Sequence, residues 1–136
     1  MSGSSTEKKL TDYIQQQAGE NIFSIAGLLN IEEFIALIAH AQLVVTVNTA
    51  TVHIAAATQT PVIVLYAQTN PQHEPWKTKS VVLPFSVRTN EQSKNEVIQF
   101  VNKQYYSSHT PYPTPEQIIK AASSLKALRN MGHSLA

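Results

Sequence analysis

Three features of the sequence predict an α/β fold built on a parallel, Rossmann-like sheet with flanking helices. Two apolar, β-branched runs, at 43–47 and 62–66, have the composition of strands covered on both faces by helices. A small-residue helical stretch of about ten residues lies between them, the length and character of a right-handed βαβ crossover. Pro61 opens the second run at its first-residue position, where a missing N–H is tolerated.

The other elements follow in chain order. Residues 6–18 carry Leu10, Ile14 and Ala18 at helical spacing, and Gly19 ends that helix. A brief strand is expected at 22–25, closed by Gly27. Asn30 is a candidate N-cap, Glu32 and Glu33 suit the positive end of the helix that follows, and Ile31, Phe34, Ile35, Ile38 and Ala41 form its apolar stripe. The run at 43–47 is expected to be a central strand. A proline-containing loop over 67–79 leads to a shorter strand at 80–83. Residues 86–114 read as a weakly patterned insertion or loop region, with one helix at 91–103. A last helix starts near Pro115 and keeps Ile118, Ala122, Leu125 and Leu128 on one side. The 136 residues, 43% of them hydrophobic, suit a single domain over 1–136.

Composition removes several functions. A net charge of +1 gives no field to recruit nucleic acid. With no cysteine there is no disulfide framework, thiolate site or cysteine nucleophile. Asp12 is the only aspartate and the five histidines lack ligand spacing, so no metal is expected. No apolar run reaches the roughly 20 residues of a membrane span, and the first residues hold no hydrophobic signal core; the chain reads as soluble and cytoplasmic. Lys120, Lys126 and Arg129 on the last helix read first as a solvated face, and second as contact with the surface of a membrane.

The chemistry concentrates where the first apolar run ends, in Asn48-Thr49-Ala50-Thr51-Val52-His53. In open α/β sheets ligands collect at the carboxyl ends of strands, where the next helix presents free N–H groups. Thr49, Ala50 and Thr51 are small enough for an anion to touch those amides, so a phosphate or diphosphate is the expected guest. The same residues also read plainly as a helix cap with tight helix–sheet packing, and His53 as a packed or capping side chain. A second polar junction at 67–71, containing Thr69, either closes over the same ligand or is an ordinary turn. No G-x-G-x-x-G or G-x-x-x-x-G-K occurs to support another nucleotide fold.

In order and spacing these residues resemble the donor-binding motif of glycosyltransferase family 9, the ADP-heptose:lipopolysaccharide heptosyltransferase group. That motif reads D-[ST]-G-x-x-H-x-A-A-A, then G-x-P, then an apolar strand ending F-G-x-T-x-P. Asn48 to Ala57 match the first part, Gln59-Thr60-Pro61 the second and Tyr66-Ala67-Gln68-Thr69-Asn70-Pro71 the third. Upstream, Gly3-Ser4-Ser5-Thr6-Glu7 is similar to the family's G-S-x-x-E turn, and Ala26-Gly27-Leu28-Leu29-Asn30-Ile31-Glu32-Glu33 to its A-G-x-x-[ST]-L-x-E approach to the next helix.

The resemblance implies part of the C-terminal half of a GT-B glycosyltransferase, the half that binds a nucleotide-diphospho-sugar such as ADP-heptose without a metal or other cofactor. Carried over by position, the amides of Thr49, Ala50 and Thr51 would hold the diphosphate, with His53 and Thr69 beside it and Asn48 at the sugar. The catalytic base and the site for a lipid-linked or lipopolysaccharide acceptor would lie in an N-terminal domain outside this chain, so no catalytic residue is assigned here and the chain alone is expected to be inactive. Strands missing between 22–25 and 43–47 would leave sheet edges open to self-association. An acceptor of that kind places the enzyme in the cytoplasm of a bacterium, peripheral to the inner membrane. Asn48 stands where the family has Asp, and Ala50, Gln59 and Ala67 where it has Gly. Ala50 fits only if its φ is negative. These departures favour the alternative reading, a non-catalytic α/β interaction or assembly module with a degenerate nucleotide-sugar site.

Overall fold

The computed structural model describes residues 1–69, 74–106 and 108–132, with side chains described as far as Lys126. Asn70, Pro71 and the side chains of Leu128 and Arg129 lie outside that set. The backbone gathers into two compact units, Met1–Leu37 and Ile38–Ala136.

In the first unit a 3-10 turn at Ser5–Glu7 runs into helix α1, Lys8–Ala18. Ser4 starts it: its N–H and hydroxyl both donate to Glu7 Oε2, at 2.7 and 2.8 Å. Gly19 ends α1 at φ 93°, its N–H returning to the Gln15 carbonyl. No regular strand forms at 22–25. That segment pairs with the chain start instead, Ile25 N–H donating to the Met1 carbonyl at 2.8 Å and Gly27 N–H to Gly3 at 2.9 Å. Too few residues take part for a ladder of ordinary strand length. Gly27 sits at φ 71° against Ser5, whose Cα would lie 2.8 Å from an added Cβ; only glycine fits.

Helix α2, Ile31–His40, begins with the reciprocal cap its sequence promises. Glu33 N–H donates to Asn30 Oδ1 at 2.9 Å, and Asn30 N–H to Glu33 Oε2 at 2.8 Å.

The second unit is built on three parallel strands in the order β1-β2-β3: Val44–Val47, Val62–Ala67 and Ser80–Phe85. Helix α3, Ala50–Ala57, crosses from β1 to β2. The pairing is in register from Val44↔Val62 to Val47↔Leu65, and from Val62↔Ser80 to Ala67↔Phe85. The central strand is therefore β2, and not the 43–47 run. Its Val62, Ile63 and Val64 are wholly buried, whereas β1 lies at the edge with Val45 50% and Val47 45% exposed. A run of β-branched residues reports strand propensity but not the number of its neighbours. β3 is the other edge, which is why Pro84 is tolerated inside it.

On one face Ile63 packs with Ala121 and Leu125 of α5, Pro115–Gly132, flanked by Leu43, Leu65, Val81, Leu83 and Ile118. Val62, Val64 and Tyr66 alternate to the other face and are buried, as are Val52, Ala55 and Ala56 of α3. Thr114 and Gln117 cap α5 reciprocally. The helix expected at 91–103 is α4, Glu96–Tyr105, preceded by a 3-10 turn at Thr89–Glu91. Asn95 sets its start by accepting from the N–H groups of Val97 and Ile98.

Candidate functional site

β1 ends at Val47 and the chain turns at once. Thr49 N–H donates to the Val47 carbonyl at 2.8 Å, and Thr49 itself is extended at φ −118°. α3 starts at the next residue, with its first inward bond from Val52 N–H to the Thr49 carbonyl. Thr49 places no side-chain cap on the helix. Of the three amides expected to form an anion cradle, Thr49 is thus used internally. The N–H groups of Ala50 and Thr51 have no hydrogen-bond partner among the described residues. Ala50 is not among the residues of positive φ, so the family's glycine is dispensable at this position.

Asn48 has a structural task. Its Nδ2 donates to the Ala67 carbonyl at 3.0 Å, and its Oδ1 accepts from Ala67 N–H, also at 3.0 Å. The side-chain amide thereby acts as one more peptide group, stitching the end of β1 to the end of β2. A carboxylate could accept from the same N–H but would set its second oxygen against a carbonyl oxygen. Asn48 keeps one further N–H and one lone pair for other partners.

Thr69 reaches the same carbonyl. Its N–H lies 2.7 Å and its hydroxyl 3.3 Å from Ala67 O, and its own carbonyl accepts from Asn102 Nδ2 of α4 at 3.2 Å. Ala67 therefore brings Asn48 and Thr69 together. His53 is exposed on α3. The site expected from the sequence is an open rim of donors at the carboxyl ends of β1 and β2.

A second feature of that rim was not foreseen. A cavity of about 380 Å³ opens where β2 and β3 end, lined among others by Gln68, Ser86, Lys94, Asn102, Lys103 and Tyr106. Most of these fall in the stretch read as insertion or loop. The one signal in the sequence was Asn95, a cap residue before a helix whose last turns carry Asn102 and Lys103. The carboxyls of Glu7, Asp12 and Glu116 are held below their usual range by hydrogen bonds, chiefly from Ser4, from Lys8 and from the Glu116 backbone N–H respectively, and none of the three lines the cavity.

Comparison with known proteins follows the same lines. Residues 1–106 match glycosyltransferase family 9 (heptosyltransferase). Over 77 residues, 54% of this chain, the sequence is 36% identical to lipooligosaccharide heptosyltransferase 2 of Haemophilus influenzae, of which the match covers 22%. Two solved structures share the fold: a family 9 glycosyl transferase from Veillonella parvula, with a TM-score of 0.69 at 19% identity, and the ADP-heptose LPS heptosyltransferase II of E. coli, with 0.67 at 20%. These alignments cover 91% and 95% of this chain but only 35% and 36% of those proteins. The α/β sheet is thus the GT-B kind that the motifs imply, and the chain spans little more than a third of the solved relatives. With the greater part of its length matching the family, the chain belongs to glycosyltransferase family 9.

Proposed function

We propose that this chain is the donor-binding portion of a heptosyltransferase-like enzyme, taking a nucleotide-diphospho-sugar such as ADP-heptose without a metal. The observation that carries the reading is the pair of unpartnered N–H groups on Ala50 and Thr51, at a helix start directly behind a parallel strand. A helix N-terminus carries about half a positive charge, and amide donors there suit diphosphate oxygens. By the family resemblance His53 would stand beside the phosphates, and Asn48 and Thr69 both bond to Ala67 at the end of β2. Transfer to a lipopolysaccharide-type acceptor belongs to the whole enzyme in the bacterial cytoplasm, and this chain binds the donor without transferring it. Among the described residues no helix is long and apolar enough to cross a membrane.

The test is calorimetric titration with ADP, UDP and their sugars. Binding is expected for the ADP series, weakened roughly tenfold in Ala50→Pro, since one bond from a charged partner contributes about 1.5–3 kcal/mol. Proline suits this position: Ala50 is the first residue of α3, and the extended Thr49 before it already has the backbone a proline demands. The melting temperature should therefore stay where it is while affinity falls.

The second reading, a non-catalytic interaction or assembly module, draws on the internal use of Asn48 and of the Thr49 amide. Absence of any heat with ADP, UDP or their sugars at about 1 mM favours it.

A further inference from the structure

The cavity between the ends of β2 and β3 and helix α4 shares no lining residue with the β1–α3 turn. Its wall carries Lys94 and Lys103 and no carboxylate at all, so its local field favours an anion. Exposed lysines alone would be a solvated surface. The floor beneath them is built more firmly.

Gln68 is only 8% exposed. Its backbone N–H is fixed to the Phe85 carbonyl at 3.0 Å, and its Oε1 accepts from the Ser86 hydroxyl at 3.0 Å. Ser86 Oγ in turn accepts from Thr110 N–H at 2.9 Å. Gln68 is thereby held in one orientation, and its Nε2 donates to none of the described residues while the side chain lines the cavity. A fixed amide donor with no protein partner at the cavity wall is available to an acceptor atom, and a guest's oxygen supplies one.

Asn102 shows the opposite need. The Thr69 carbonyl claims its Nδ2, which fixes the other atom of the amide as oxygen, and that Oδ1 is buried with no donor among the described residues. It lacks an O–H or N–H. Half-buried Tyr106 adds a flat apolar wall with a polar tip. A volume near 380 Å³ lies in the ordinary range for small-ligand pockets.

Positive charge, a fixed amide donor and an acceptor short of a hydroxyl describe one class of guest. We propose that this cavity binds a phosphorylated monosaccharide, its phosphate on Lys94, Lys103 and Gln68 Nε2, and a sugar hydroxyl turned to Asn102 Oδ1. The site is separate from the donor diphosphate position and stands whether or not that position is occupied.

The experiment is an amide-resolved NMR titration of the 136-residue chain with glucose 1-phosphate, glucose 6-phosphate, glucose, inorganic phosphate and ADP. One or both sugar phosphates should saturate below about 10 mM, moving the side-chain amides of Gln68 and Asn102 and the backbone of 86–106. Glucose and inorganic phosphate should each bind at least about tenfold more weakly, because each lacks one half of the recognition. The exposed pair Lys94→Ala/Lys103→Ala should keep the fold and lose sugar-phosphate affinity at least tenfold, and Asn102→Leu should lower it with a smaller effect on inorganic phosphate. The proposal is overturned by no sugar-phosphate shift at that concentration, by unchanged affinity in the lysine pair, or by inorganic phosphate binding as well as the sugar phosphates. Ala50→Pro keeps the two sites apart: it should weaken ADP and leave the sugar phosphates unaffected, so either assignment can fail without the other.

Discussion

Asn48 is the residue at which family pattern and structure differ most usefully. The two bonds to Ala67 require a donor and an acceptor on one side chain, which an amide has and an ionised carboxyl lacks. Asn48→Asp should therefore destabilise the chain at neutral pH by about 1–3 kcal/mol, and recover part of the loss once acid protonates the new carboxyl and restores a donor. Thermal melts at pH 7 and pH 4 check this; equal losses at both would contradict the clamp. Gln59 carries a comparable message, since it stands at φ 56° where the family has glycine, with Nε2 bonded to the Ala56 carbonyl at 2.8 Å. Gln59→Val should cost about 1–3 kcal/mol, whereas Gln59→Gly should be tolerated. That the position is a turn was legible from Gln-Thr-Pro. Its left-handed backbone was not, because only the comparison with glycine hints at it.

Elements with local signals were read well, and those depending on distant partners were not. α1, α2 and α5 declare themselves by apolar spacing and by caps such as Asn30 with Glu33, all within a few residues. α4 was placed too early because the 3-10 turn at Thr89–Glu91 imitates a helix start. The residues of segment 22–25 favour extension, but the segment finds its partner only at Met1–Gly3. The turn entering α1 makes a prediction of its own. Two bonds from Ser4, the backbone N–H first and then the hydroxyl, hold the Glu7 carboxyl below its usual value. A depressed carboxyl stabilises the folded state above its unfolded pKa, and the contribution fades as pH falls through the folded one. Exchange protection around residues 3–8, taken relative to the intrinsic rate at each pH, should therefore fall on acidification through and below the normal carboxylate range, and Glu7→Gln should flatten that dependence. Gly27→Ala, which drives a methyl into Ser5, should cost more than about 2 kcal/mol in the same unit.

At the scale of the whole molecule, stability of the second unit rests on a thin sheet. Ile63 is wholly buried against Ala121 and Leu125, and Ile63→Ala should cost about 2–5 kcal/mol by chemical denaturation. The bare edge of β1, with Val45 and Val47 half exposed, predicts self-association that rises with concentration. Sedimentation should show it, and Val47→Lys should reduce it. The fold class was legible from two apolar runs and the helix between them, since a βαβ unit leaves few alternatives. The outer position of β1 and the cavity by α4 were not, because both depend on residues far apart in sequence meeting at one place. All three strands point the same way, so both proposed binding features open at one rim while the hydrophobic layers lie behind it. Division of labour of that sort makes the fold tolerant of innovation: descendants of this chain can trade one cargo for another by rewriting the rim, and inherit a working scaffold unchanged.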